Sequence, residues 1–178
     1  KINVFNEYFG RGLSSVVFQE LRESKSLAYS AYVNYANANA IRKHNYVVTY
    51  IGTQANKLHL AVDAMDDLMK DLPRISVQFE NAKNSALKQI ASTRITRTNI
   101  FFNYLNLNKL DIYHDIRKDV YHEIECLTID DLAAFYHQEI KPVQYNVALI
   151  GKKENLDMKV IENLGEFKEV TLEEIFGY

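Results

Sequence analysis

Apolar positions recur along this chain with two periods, and the switches between them mark out helices and strands. Near the N-terminus, Ile2 to Phe9 and Ser15 to Ser24 read as helices: Val17, Phe18 and Leu21 share a face, Ser14 and Ser15 offer N-cap oxygens, and Gly10 and Gly12 interrupt the chain between the two. The period then falls to two. Leu27, Tyr29, Ala31, Val33 and Tyr35 share one side of an expected strand, and His44 to Gly52 alternates in the same way, with polar Asn37 to Ala40 between them. A hairpin is expected.

Helical spacing returns with Leu58, Ala61, Val62, Met65, Leu68, Met69 and Leu72, a packing stripe that Pro73 is expected to stop. Ser76 opens a helix reaching about Thr93, with Phe79, Ala82, Ala86 and Ile90 as a narrow seam. Two shorter helices follow, Asn99 to Tyr113 carrying Phe101, Phe102 and Leu105, and Asp115 to Leu127 carrying Ile116, Val120 and Ile124. Thr128 with Asp131 begins another, burying Leu132, Phe135, Tyr136 and Ile140 and ended by Pro142. Tyr145, Val147 and Leu149 alternate with Asn146, Ala148 and Ile150 as a final central strand closed by Gly151. Asp157 to Leu164 reads as a helix stopped by Gly165, and Phe167 to Val170 as a short edge strand. The layout is α+β: helices packed on one face of a largely antiparallel sheet, in one unit spanning residues 1–178.

Composition narrows the function classes. A net charge of −2 over 178 residues provides no global basic field for nucleic acid, and Lys83, Lys88, Arg94 and Arg97, on a segment with Glu80, read as a solvated helix face. No run of eighteen apolar residues occurs, so no membrane span is expected. The single cysteine, Cys126, excludes an internal disulfide. The chain opens on Lys1 and carries no leader, so a piece of a longer protein is expected and no compartment is assigned. Twelve tyrosines occur with no tryptophan. Tyr29, Tyr32, Tyr35, Tyr46 and Tyr50 concentrate in the hairpin, as a peptide-contacting wall or as ordinary sheet packing.

Hydrolytic chemistry of its own is not expected. None of the nucleophile-elbow, P-loop or dinucleotide motifs is present, and no H-x-x-E-H occurs. Of the five histidines, only His59 with Asp63 and His122 with Cys126 form helical i, i+4 pairs that could grip a metal. Each supplies two ligands where a catalytic zinc needs three.

Arg22 ends the second helix, where a cation suits the helix dipole, and Tyr29 follows seven residues later at the start of the hairpin. From residue type alone they are a solvated cation and a half-buried strand aromatic. The strings around them say more. Phe5-Asn-Glu-Tyr-Phe-Gly10, Phe18-Gln-Glu-Leu-Arg-Glu23, Leu27-Ala-Tyr-Ser30, and later Leu127 to Tyr136, Ile140 to Pro142 and Val147 to Gly151, resemble in order the later, non-zinc domain of the pitrilysin/insulinase family of zinc metallopeptidases, the inverzincins.

That resemblance implies a C-terminal-type domain that binds no zinc or other cofactor itself. It implies as partners a zinc-bearing domain, in the same polypeptide or a separate subunit, and a peptide substrate. Family domains usually open with a strand before the first helix, so the sheet is expected to be one strand short. By the same resemblance, Arg22 and Tyr29 are the candidate catalytic residues, reaching into the partner's zinc site to hydrogen-bond the substrate near the scissile carbonyl. Peptide hydrolysis builds negative charge on that oxygen, and a fixed donor there is worth roughly a hundredfold to a thousandfold in rate. Both side chains are then expected at an open face, with Glu23 pointing elsewhere and Phe18 and Leu21 packed beneath. Two alternatives remain: a catalytically silent scaffold or assembly subunit of the same fold, and a freestanding module that captures extended peptides at a sheet edge.

Overall fold

The fold is described from a computed structural model, which covers residues 1–141 and 144–177. The first two helices form where periodicity places them, but each slackens along its length. α1 (Ile2–Phe5) continues as a π-helical turn over Asn6–Gly10, and α2 (Val16–Phe18) as another over Gln19–Ser24. Arg11 N–H donates to the Asn6 carbonyl at 2.6 Å and Lys25 N–H to that of Glu20 at 3.0 Å, both five residues back. Ser15 caps α2 through its Oγ, which accepts from Phe18 N–H at 3.3 Å.

β1 (Ser30–Ala36) and β2 (Tyr46–Gly52) pair antiparallel in a register that sets Ser30 opposite Gly52 and Ala36 opposite Tyr46. Ala31, Val33 and Tyr35 face inward, while Tyr32 and Tyr50 stack outside with ring centres 5.1 Å apart. Of the hairpin tyrosines, Tyr35 is core and Tyr32, Tyr46 and Tyr50 are exposed.

α1 and its π turn hold β1 through two residues. Asn6 substitutes for a strand neighbour: its Oδ1 accepts from Tyr35 N–H at 2.8 Å and its Nδ2 donates to the Tyr35 carbonyl at 3.0 Å. Gly10 lies so close to β1 that a Cβ there would stand 1.8 Å from the Val33 carbonyl oxygen.

A 3₁₀ turn (Ala55–Lys57) leads into α3 (Leu58–Leu68), followed by α4 (Ser76–Ser92), α5 (Arg97–Asn108), α6 (Arg117–Cys126) and α7 (Ile129–Glu139). A further 3₁₀ turn (Lys153–Asn155), α8 (Met158–Leu164) and α9 (Leu172–Phe176) complete the order. The core gathers Val4, Phe5, Tyr8 and Phe9 with Val17, Leu21, the inner face of β1, Met65, the α4 seam and Leu132 and Tyr136 of α7. Tyr136 packs on Phe5 and Phe9, with centroids at 6.1 and 5.8 Å, and donates to the Met69 carbonyl at 2.6 Å. Burial pushes its hydroxyl pKa up, which keeps it protonated and donating. Thr128 and Asp131 form a capping box at the start of α7. Among the described residues no helix is long and apolar enough to cross a membrane.

Several expectations are corrected. Tyr145 to Ile150 is chain without ladder bonds, and Ile150 is fully exposed: its alternation is that of a strand, but among the described residues no neighbour pairs with it. Phe167 to Val170 is likewise not a strand, so the described sheet has two strands. α3 ends at Leu68, before Pro73 is reached. Phe101, Phe102 and Leu105 of α5 lie in solvent, with Leu107 buried in their place. The stop assigned to Pro142 lies outside the described residues.

Candidate functional site

The segment between α2 and β1 carries both candidate side chains, and backbone bonds set its course. Leu21 is fully buried, and its carbonyl accepts from Leu27 N–H at 2.8 Å and from Ala28 N–H at 3.2 Å. The chain after the helix is thereby folded back beside the residue preceding Arg22. Ser26 turns the corner at φ 51°, and Lys57 Nζ donates to its carbonyl at 3.1 Å. Thr53 Oγ1 donates to the Leu27 carbonyl at 2.5 Å, and Tyr29 N–H to that of Gly52 at 2.8 Å. The end of α2 and the stretch from Gly52 to Lys57 thus both hold this turn.

Tyr29 does not share the inner side of the hairpin. A bend precedes β1, so that Ala28 is buried and Tyr29 is 67% exposed. Its hydroxyl accepts from Gln54 Nε2 at 2.7 Å, which leaves the hydroxyl proton available to an external acceptor. Arg22, in the last turn of the π segment, has a half-exposed side chain, with the guanidinium carbon 4.8 Å from the centre of the Phe18 ring. Phe18 therefore lies beneath it, as expected, and Leu21 is buried in the core. Glu23 does not point away: its Oε1 stands 3.7 Å from Arg22 Nε. The pair is exposed on both sides and long for an ion pair, so solvent competes with it. Its contact is with Nε, and the two Nη groups remain as donors.

Gln54 was missed by sequence reasoning. It stands twenty-five residues from Tyr29 and belongs to no motif. The one signal lay in the hairpin register, which carried past Gly52 sets Thr53 and Gln54 alongside Leu27 to Tyr29.

The candidate metal pairs gain no third ligand. His122 Nδ1 lies 3.3 Å from Glu125 Oε2 and Cys126 is exposed, while Asp66, near His59 and Asp63, takes the Tyr145 hydroxyl at 3.0 Å. Among the described residues no three His, Cys, Asp or Glu side chains gather as a metal site. The donor set does not fit a catalytic zinc.

The turn between α2 and β1 of this α+β domain thus carries an exposed phenol at Tyr29 and a half-exposed guanidinium at Arg22. Residues 1–85, which contain Arg22, Tyr29 and Gln54, match the family described as peptidase M16 inactive domain. The chain is 26% identical over 160 residues to the uncharacterized zinc protease YmxG of Bacillus subtilis (strain 168), covering 86% of this chain and 37% of that protein. The fold is also that of a peptidase M16 inactive domain from Pseudomonas fluorescens, with a TM-score of 0.61 at 17% identity, over 77% of this chain and 33% of that one. The match over residues 1–85, the relative and the shared fold together support a pitrilysin-family (M16) C-terminal domain. The chain spans about a third of the length of these relatives.

Proposed function

We propose that this domain closes the substrate chamber of a zinc peptidase and lends Arg22 and Tyr29 to the scissile peptide group. The observation that carries the reading is the turn itself, which folds back onto the Leu21 carbonyl and leaves a guanidinium and a phenol exposed within one short segment. The zinc-bearing partner domain supplies the metal and the activated water. This chain supplies donors. The Tyr29 O–H, its oxygen already accepting from Gln54, donates to the scissile carbonyl as negative charge builds there, and the Arg22 Nη groups bind the neighbouring backbone carbonyl or share that charge. Phe18 beneath the guanidinium limits its rotamers, so less freedom is lost when substrate arrives.

The test is Tyr29→Phe and Arg22→Ala in the complete peptidase. Each removes a donor from an exposed position, so folding stability is expected to change by less than about 1 kcal/mol. Turnover is expected to fall roughly a hundredfold to a thousandfold for Tyr29→Phe. Steady-state kinetics beside urea unfolding separates the two effects. Unchanged kcat/KM in both variants would return the residues to surface roles and favour the silent scaffold.

A further inference from the structure

The Tyr29 phenol is 67% exposed, and an exposed phenol has two freedoms that spoil its aim as a donor. Its ring turns about χ1 and χ2, and its O–H flips between two directions in the ring plane. One bond limits both. Gln54 Nε2 donates to the Tyr29 oxygen at 2.7 Å, and among the described residues no other side chain is bonded to that hydroxyl.

Gln54 is itself exposed, so its hold on the phenol depends on how firmly its backbone is placed. It heads the 3₁₀ turn Ala55–Lys57, and Lys57 N–H donates to its carbonyl at 2.9 Å. On the other side, Thr53 Oγ1 is bonded to the Leu27 carbonyl and the Gly52 carbonyl accepts from Tyr29 N–H. Lys57 Nζ reaches the Ser26 carbonyl and closes the strap. The two stretches that carry Tyr29 and Gln54 are therefore tied together by three bonds besides the one between their side chains. A side chain launched from so fixed a base holds its partner at a fixed place.

The direction of the bond matters as much as its length. In the plane of the ring a phenol oxygen offers one direction to its proton and one to an accepted bond, so an amide N–H on the second sends the O–H along the first, away from Gln54. A bond accepted by that oxygen also strengthens the bond its proton donates. We propose that Gln54 is a positioning residue: it aims the Tyr29 O–H at the scissile carbonyl oxygen and strengthens that donation as negative charge builds there; this rests on the role proposed above for Tyr29. Gln54 acts through the phenol and not on the substrate. A glutamate in its place has nearly the same shape and the opposite polarity, for its carboxylate accepts the O–H and withdraws it from the substrate.

The experiment measures kcat and KM of the complete peptidase on an internally quenched peptide library at neutral pH, where a glutamate is ionised. Gln54→Ala is expected to lower kcat roughly threefold to tenfold, the worth of one neutral hydrogen bond, with KM changed less than about twofold because the donation grows with charge in the transition state. Gln54→Glu is expected to cost more, roughly tenfold to a hundredfold, since the O–H must leave a charge-assisted bond. Adding Gln54→Ala to Tyr29→Phe is expected to cost nothing further, because the phenol through which it acts is gone. Unfolding midpoints of these exposed substitutions are expected to match wild type. If Tyr29→Phe is slow while Gln54→Ala and Gln54→Glu both turn over like wild type, the positioning role is overturned and the role of Tyr29 stands. A Gln54→Ala loss that is undiminished in Tyr29→Phe, that appears in KM alone, or that follows a lowered midpoint also overturns it. Wild-type turnover in Tyr29→Phe, or a wild-type enzyme that cleaves no peptide of the library, overturns both readings.

Discussion

Asn6→Ala tests the join that sets the turn on its core. Asn6 is 9% exposed, and its two bonds satisfy both backbone groups of Tyr35, itself 5% exposed. Alanine removes both partners at once and leaves a buried N–H and a buried carbonyl. At about 1–3 kcal/mol for each group left unpaired, the range is about 2–6 kcal/mol. Slight water access through the 9% opening argues for the lower half, about 3 kcal/mol. For a chain of this length that lowers the melting midpoint by about 6–12 °C. Urea unfolding followed by circular dichroism measures the loss, with Asn45→Ala as control, because its Oδ1 accepts from Ala38 N–H in an exposed loop. A cost below about 1 kcal/mol, or one equal to the control, would refute the view that Asn6 acts as the missing neighbour of β1.

Gly10→Ala is expected to destabilise by about 3 kcal/mol, because the added carbon meets the Val33 backbone at 1.8 Å and no side chain can yield; an unchanged unfolding midpoint would show that α1 shifts freely on β1. The Arg117 guanidinium and backbone N–H, bonded to Asp115, hold its carboxyl at about 2, well below the ordinary 3.8. A carboxyl lowered on folding contributes stability that is complete above its ordinary value and is lost as pH falls through the native one, so the local turn is expected to loosen between pH 3.8 and about 2. Carboxyl-carbon NMR titration checks this, and Arg117→Ala is expected to return the midpoint toward 3.8. Chain dialysed against zinc is expected to retain no stoichiometric metal; one equivalent by mass spectrometry, lost in His122→Ala, would contradict this.

What could be read along the chain was what neighbours in sequence decide. The capping box of Thr128 and Asp131, the N-cap at Ser15, the α4 seam and the inward row Ala31, Val33 and Tyr35 follow from periods and local hydrogen bonds, and they stand where the pattern placed them. The string around Arg22 and Tyr29 also carried the family. Tertiary structure decided the rest. Alternation at Tyr145 to Ile150 makes a strand only where another edge accepts its bonds, and periodicity holds no information about that edge. Likewise Phe101 and Phe102 satisfy a helical pattern equally well in a core or in solvent. The period-two reading put Tyr29 on one side with Ala31, Val33 and Tyr35, and one bend held by the Leu21 carbonyl turned it out toward Gln54. Whether a phenol is packing or chemistry depends on that bend, and the bend depends on bonds to Leu21, Gly52 and Thr53 that no local pattern announces.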